Sequence, residues 1–252
     1  MIRNRVIIVM LLVICICVIC FASAELITYE HESKVAEEKV EILRPVKPEE
    51  AFVSEYDLIK DKYEDIYNQN NDFAAWLRIS GTAIDYPVMQ TPADMQYYLH
   101  RDFEKNYSAA GTLFFSDYCN IEKPDDVILI YGHFMKNKTM FGSLGEYSKK
   151  EYLDGHRIIQ LDTLTGRMYY EIISVIITEV ETELDSEFKY YEYHNFASED
   201  EFKQFLREIK NKELYETDAS VMSGDKFILL STCNYSSQNA RLVVVAKLLQ
   251  NI

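Results

Sequence analysis

Near the C-terminus the chain reads LLSTCNYSSQNARLVVVAKLL, residues 229–249. A thiol, Cys233, stands where an apolar run opens into a polar stretch, and an arginine, Arg241, stands where the next apolar run begins. A thiolate is a strong nucleophile, and a fixed guanidinium beside it favours the thiolate and can hold a developing oxyanion. If the two runs are strands of an antiparallel hairpin, Cys233 and Arg241 face each other across its mouth, where opposed Cβ atoms lie about 5 Å apart. The competing reading is a structural cysteine beneath an arginine that snorkels at a strand end.

A nucleophilic thiol needs a proton carrier, and five histidines are available. His31 falls in a charged stretch, His194 in an acidic connection, His100 after a short helical segment and His156 in an Asp-Gly turn, all ordinary surface settings. His133 differs, because it ends the run Val127-Ile128-Leu129-Ile130-Tyr131-Gly132 and so places an imidazole at the mouth of a buried strand. Gly132 permits close approach of backbone or substrate there. A lone strand-end histidine is more often structural, and its weight comes from Cys233 and Arg241. With reference pKa values of about 8.5 for Cys and 6.5 for His, an unperturbed pair at pH 7 is mostly thiol and imidazole. A bell-shaped pH profile is therefore expected. No pair of histidines or cysteines has metal-ligand spacing, and HExxH, CxxC and HxH are absent, so neither a metal nor another cofactor is expected.

These residues resemble a known family. Tyr131-Gly132-His133 followed by TMFGSL at 139–144 is similar to the histidine segment of a class B sortase. Leu230-Ser231-Thr232-Cys233 resembles the cysteine signature of that family, and Arg241-Leu242-Val243-Val244-Val245 its arginine strand. The resemblance covers residues 72–252. It implies an eight-stranded β-barrel and cysteine transpeptidation at the Gram-positive cell surface. Cys233 would attack a sorting signal after threonine, in an Asn-Pro-x-Thr-x or Pro-x-Thr-Gly-like motif, and form a thioacyl enzyme. His133 would protonate the leaving amine and then help deprotonate an amine of a peptidoglycan precursor or pilin. Arg241 would stabilise the oxyanion, and Ser231, Thr232 and Tyr131 would line the substrate groove. The position after the cysteine, often acidic in relatives, is Asn234 here.

The elements that must position these residues are mostly β. Apolar runs at Trp76–Ile79, Ala83–Met89, Thr112–Phe115, Val127–Tyr131, Arg157–Leu161, Met168–Thr178, Lys226–Leu230 and Arg241–Leu249 predict about eight strands, hence a sandwich or closed barrel. The fold class is mainly β with added helices. One helix is expected over Glu49–Asn70, where Phe52, Tyr56, Ile59, Tyr63 and Ile66 recur at helical spacing. Thr91-Pro92-Ala93-Asp94 reads as a helix start. Ser198-Glu199-Asp200-Glu201 reads as a capping box before the apolar face Phe202, Phe205, Leu206 and Ile209. This last helix lies in a long acidic, Tyr-rich insertion before the cysteine strand.

The N-terminus bounds the location. Arg3 and Arg5 precede an uncharged apolar run from Val6 to Ala24, roughly 28 Å long as a helix. Arginines before the run and acids after it put the N-terminus inside and the body outside. Ala22-Ser23-Ala24 resembles a signal-peptidase site, but the run exceeds most signal cores, so an uncleaved anchor is the reading. The expected organisation is an anchor at 1–24, a spacer at 25–48, a helical region at 49–71 packed on the barrel, and a catalytic barrel at 72–252. Of the five cysteines only Cys119 and Cys233 lie beyond the anchor, too few for a disulfide scaffold, though one bridge between them is open.

The 252 residues are 48% apolar and 27% charged, the balance of a folded domain. A net charge of −15 leaves no basic face for nucleic acid. The expected partners are surface proteins bearing sorting signals, the amine acceptor, and the membrane through the anchor. Two alternatives stay open. Water in place of the amine makes the same thioacyl enzyme a cysteine hydrolase, although papain-like CGSCW and the Ser-x-Gly-Cys pattern are missing. A non-catalytic surface binding domain explains anchor, acidity and β content, but leaves the placement of His133, Cys233 and Arg241 a coincidence.

Overall fold

In the computed structural model, residues 2–43, 55–91, 93–116, 119, 125–179, 188–233 and 239–249 are described. Eight strands form one closed barrel: β1 Phe73–Ile79, β2 Asp85–Met89, β3 Leu113–Phe115, β4 Val127–His133, β5 Ile158–Thr163, β6 Gly166–Glu179, β7 Phe227–Cys233 and β8 Ala240–Leu248. Their order around the barrel is β1-β2-β3-β4-β7-β8-β6-β5, and β1 closes on β5. All eight expected runs are strands, with ends shifted by a few residues. Closure removes sheet edges, and the runs are apolar because one face of each strand fills the barrel while helices or loops cover much of the other. Ile128, Leu230, Val243, Val244 and Val245 are essentially inaccessible.

The two parallel pairings matter most for the site. β4 and β7 run side by side from Val127↔Phe227 to His133↔Cys233. Parallel strands need a long crossover. Here it runs through α3 (Lys150–Gly155), β5, β6 and the insertion that carries α4 (Glu199–Lys212). Ser198 caps α4 by accepting from the Glu201 N–H at 3.2 Å, while the Glu201 carboxylate accepts from the Ala197 N–H at 2.7 Å. Phe202, Phe205 and Ile209 are buried as the pattern predicted. The Phe205 and Phe227 rings meet at a tilt, 5.3 Å apart, so the insertion helix is fastened to the start of the cysteine strand.

Helix α2 (Glu55–Gln69) buries Ile59, Tyr63 and Ile66, while Phe52 and the side chain of Tyr56 lie outside the described residues. Two local expectations are corrected. Residues 25–48, read as a spacer, continue helix α1 (Ile2–Leu43) as far as Leu43. Ala36 and Val40 are buried, and Lys39 between them pairs with Asp102 at 2.6 Å and Glu104 at 2.7 Å. A single turn of stripe is too short to register as periodicity, and its ion-pair partners lie more than sixty residues away. Thr91 starts no α-helix: its hydroxyl donates to the Asp94 carbonyl in a turn, and only a 3-10 segment, Tyr97–His100, follows. A threonine can close a local turn as readily as cap a helix.

Among the described residues no helix is long and apolar enough to cross a membrane. The run Val6–Ala24 lies within α1, but many of its side chains, from Val6 to Val9 among them, lie outside the described residues.

Candidate active site

Three strand ends meet at the mouth of the barrel. The parallel register makes His133 and Cys233 neighbours on adjacent strands, about 4.8 Å apart along the hydrogen-bonding direction. β7 and β8 pair antiparallel from Phe227↔Lys247 to Ser231↔Val243. The ladder ends there, and Cys233 and Arg241 both lie beyond its last pair, at the same end of the two strands. On its other side Arg241 pairs with Thr178 of β6. The barrel therefore brings His133 onto the strand beside Cys233, a hundred residues further along the chain, with Arg241 on the next strand.

His133 is held by a local device that its strand alone does not supply. Its Nε2 lies 2.8 Å from the Leu99 carbonyl oxygen at the end of the Tyr97–His100 segment. A carbonyl only accepts, so Nε2 carries the proton and Nδ1 holds the lone pair of the neutral ring. Burial pushes the imidazole below its ordinary pKa; the Leu99 carbonyl opposes that, and the charge of His100 adds to it. The His100 ring lies 5.2 Å from the His133 ring. His133 is thus a half-buried, mostly neutral imidazole poised to accept a proton.

The motif glycines are explained by packing. A Cβ on Gly132 would press into Leu113 and come within 2.8 Å of Phe141, so the strand before His133 closes on the TMFGSL segment with no room for a side chain. Gly142 is needed in the same way against the Met135 carbonyl. The chain from His133 to this segment turns sharply, with Met140 at φ 49°.

Arg241 is half-buried and donates from a guanidinium nitrogen to the Ala240 carbonyl at 3.1 Å. Ser231 and Thr232 are fully buried. The Ser231 hydroxyl and the Tyr190 hydroxyl are 2.7 Å apart, and Thr232 Oγ1 accepts from the Leu242 N–H at 3.0 Å. The first bond ties the insertion to β7, and the second ties β8 to β7 just below Arg241. Tyr131 is half-buried, its ring 5.6 Å from Phe114. The Asn234 position lies outside the described residues.

Cys119 is a free thiol, which removes the bridge to Cys233. It is buried beside β4, 3.2 Å from the Ser116 hydroxyl, and accepts from the Leu129 N–H at 3.2 Å. Burial pushes its pKa up, the reverse of what a nucleophile needs. Among the described residues no group of three or more His, Cys, Asp or Glu side chains could hold a metal.

Sequence reasoning missed the Leu99 carbonyl and His100, because a backbone acceptor has no signature and His100 sits 33 residues before His133. It also missed Tyr190, in a 3-10 segment of the insertion, and Thr178 on β6, whose contacts are with residues distant in the chain.

A closed eight-stranded barrel with a histidine, a cysteine and an arginine on adjoining strand ends defines a cysteine acyl-transfer enzyme of the transpeptidase type. A sortase domain matches residues 77–249, and the chain belongs to the sortase family. It is 30% identical to sortase B of Staphylococcus aureus over 194 residues, 76% of each chain. It is 32% identical to sortase B of Listeria monocytogenes over 193 residues, 75% of each chain. Among solved structures, the S. aureus sortase B–substrate complex superposes with a TM-score of 0.73 at 27% identity, covering 88% of this chain and all of that one. Clostridium perfringens sortase B gives 0.66 at 32% identity, covering 74% of this chain and 99% of that one. The protein is a sortase-family cysteine transpeptidase of class B type, and the family is one of cell-surface enzymes.

Proposed function

We propose that the chain cleaves a C-terminal sorting signal of the Asn-Pro-x-Thr-x or Pro-x-Thr-Gly type after threonine and passes the acylated protein to an amine of a peptidoglycan precursor or pilin. The observation that carries this reading is the register of β4 against β7, which makes His133 the strand neighbour of Cys233. Cys233 Sγ attacks the threonyl carbonyl as its proton passes to His133, and the C–N bond breaks as His133 delivers that proton to the departing amine. The thioester then meets the incoming amine, whose proton returns to His133 as the C–S bond breaks. Arg241, at the same end of the next strand, holds the oxyanion in both steps. Ser231 and Thr232 support the groove from beneath, through Tyr190 and β8, and Tyr131 stands at its side. A sortase B from S. aureus has been solved as a substrate complex, which supports substrate binding by this fold.

The enzyme works at the outer face of the membrane, tethered by the N-terminal part of α1. Met10, Leu11, Ile14, Ile16, Val18, Ile19 and Phe21 are between 54% and 68% exposed, an apolar surface that needs lipid or protein to cover it. The test incubates the protein with peptides of both motif types, with and without an amine such as triglycine, and follows Cys233 by mass spectrometry. A thioacyl adduct that collapses to an amide with the amine is expected. No adduct with either peptide removes the reading, and an adduct released only as free acid makes the enzyme a hydrolase.

A further inference from the structure

Given His133 as acid and base, three rings form a tier from solvent to the reaction centre. Tyr107 is 75% exposed, its ring stacks on His100 at 6.4 Å and 25°, and His100 lies 5.2 Å from His133 at 33°. The tier is built into the loop that also supplies the Leu99 carbonyl. The Ser108 N–H donates to the His100 carbonyl at 3.1 Å, Arg101 and Tyr107 form a β-bridge, and the Thr112 hydroxyl donates to the Arg101 carbonyl at 2.9 Å. These bonds fix the place of His100 against His133 independently of any ligand.

The other charges nearby are turned elsewhere. Arg101 lies over the Tyr97 ring at 4.1 Å and donates to the Tyr97 carbonyl, and Asp102 and Glu104 are bound to Lys39. From β7 the strand neighbour of His133 is Cys233, and Arg241 lies on β8, separated from β4 by β7. Among the described residues, the His100 ring is the titratable side chain set against the ring of His133.

We propose that His100, braced by Tyr107, is a positioning residue for His133: its ring holds the imidazole against the Leu99 carbonyl, and its positive charge, when present, opposes a second proton on His133. The consequence is a base kept neutral for the amine-activating half of the reaction. Two like charges about 5 Å apart repel measurably even in a watery setting. In the pH dependence of His133, the repulsion with His100 adds to the effect of burial.

The experiment uses the full chain in detergent micelles with ring-labelled histidine, and reads the NMR titration midpoint of His133 beside the pH dependence of Cys233 alkylation by iodoacetamide. His100→Phe keeps a ring and loses the charge. The His133 midpoint is expected to move to higher pH, with the alkylation profile following it, and the gap from wild type to shrink as salt rises from about 0.02 to 0.5 M. The Nε2 proton bound to Leu99 should persist in His100→Phe and be lost or broadened in His100→Gln, which has no ring. An unchanged midpoint in both variants, or a gap indifferent to salt, overturns the electrostatic role. Equal persistence of the Leu99-bound proton in both overturns the bracing role. Neither readout uses a peptide, so failure of the transpeptidation test leaves this one interpretable.

Discussion

The two ends of strand β6 handle charge in opposite ways. Near its start, Arg167 meets Asp162 of β5 in a knot where every group is paired. Asp162 is fully buried, yet it accepts from Arg167 Nε at 2.6 Å, from the Tyr63 hydroxyl at 2.9 Å and from Gln160, with Lys62 at 3.7 Å. Eleven residues on, about 36 Å along the strand, Thr178 is paired in register with Arg241, and its buried hydroxyl has no partner among the described residues. The first end fastens helix α2 to the barrel. The second is the mouth where β4, β7 and β8 bring His133, Cys233 and Arg241 together. A buried ion held on all sides serves stability, whereas a reaction centre needs groups with capacity left for a substrate.

That contrast can be broken at either end. The largest effect is expected from Arg241→Lys, since a point charge cannot reproduce a guanidinium fork. Thioacyl formation at Cys233, followed by mass spectrometry, should fall about 10²–10³-fold, while the melting temperature stays near wild type. Near-normal activity would remove Arg241 from the oxyanion role. Asp162→Asn should do the reverse. Stranding Arg167 and Lys62 is expected to cost about 3–5 kcal/mol, read through denaturant unfolding of the single tryptophan, Trp76, which stacks on Tyr63 at 5.9 Å. The acylation rate per folded molecule should be little changed.

Titration sharpens the comparison. Burial alone would raise the Asp162 carboxyl, but the Arg167 hydrogen bond and charge, with Tyr63 and Gln160, hold it below the ordinary value. Its contribution is present above the unfolded carboxylate value of about 3.9 and is lost as pH falls through the lower folded one. The stability gap between wild type and Asp162→Asn should therefore narrow only in strong acid. His133, held low by burial, binds fewer protons folded than unfolded. Its effect is that stability declines as pH falls through the ordinary imidazole value of about 6.5 and levels off below the folded one. His133→Asn should flatten that limb in denaturant midpoints measured from pH 8 to 5. The smallest effect is expected at Thr178→Val, within about 1 kcal/mol and in the stabilising direction, because it removes an unpaired buried hydroxyl. A large loss there would mean that the hydroxyl has a partner at work.

The strands, the α4 capping box and the places of His133, Cys233 and Arg241 at strand ends were legible because each is a local pattern: an apolar run, a cap, a polar residue at a run's end. Residues 25–43 were not, since what keeps them helical and docked is Lys39 with Asp102 and Glu104, and the burial of Ala36 and Val40. The family resemblance implied that Ser231 and Thr232 line the groove. Both side chains are buried, because the register turns them toward Tyr190 and Leu242. His100 read as a surface histidine, and it is exposed, yet the turn after it sets its ring against His133.

By itself the sequence determined that eight apolar runs would form strands of a sandwich or closed barrel and that a thiol, an imidazole and a guanidinium would sit at run ends, since hydrophobic patterning is local and encodes which backbone must leave water. Only the tertiary structure decided which ends meet. The parallel pairing of β4 with β7, the Leu99 carbonyl at His133 and the pairing of Thr178 with Arg241 depend on long-range register, and register is fixed by packing across strands that no short stretch of chain contains.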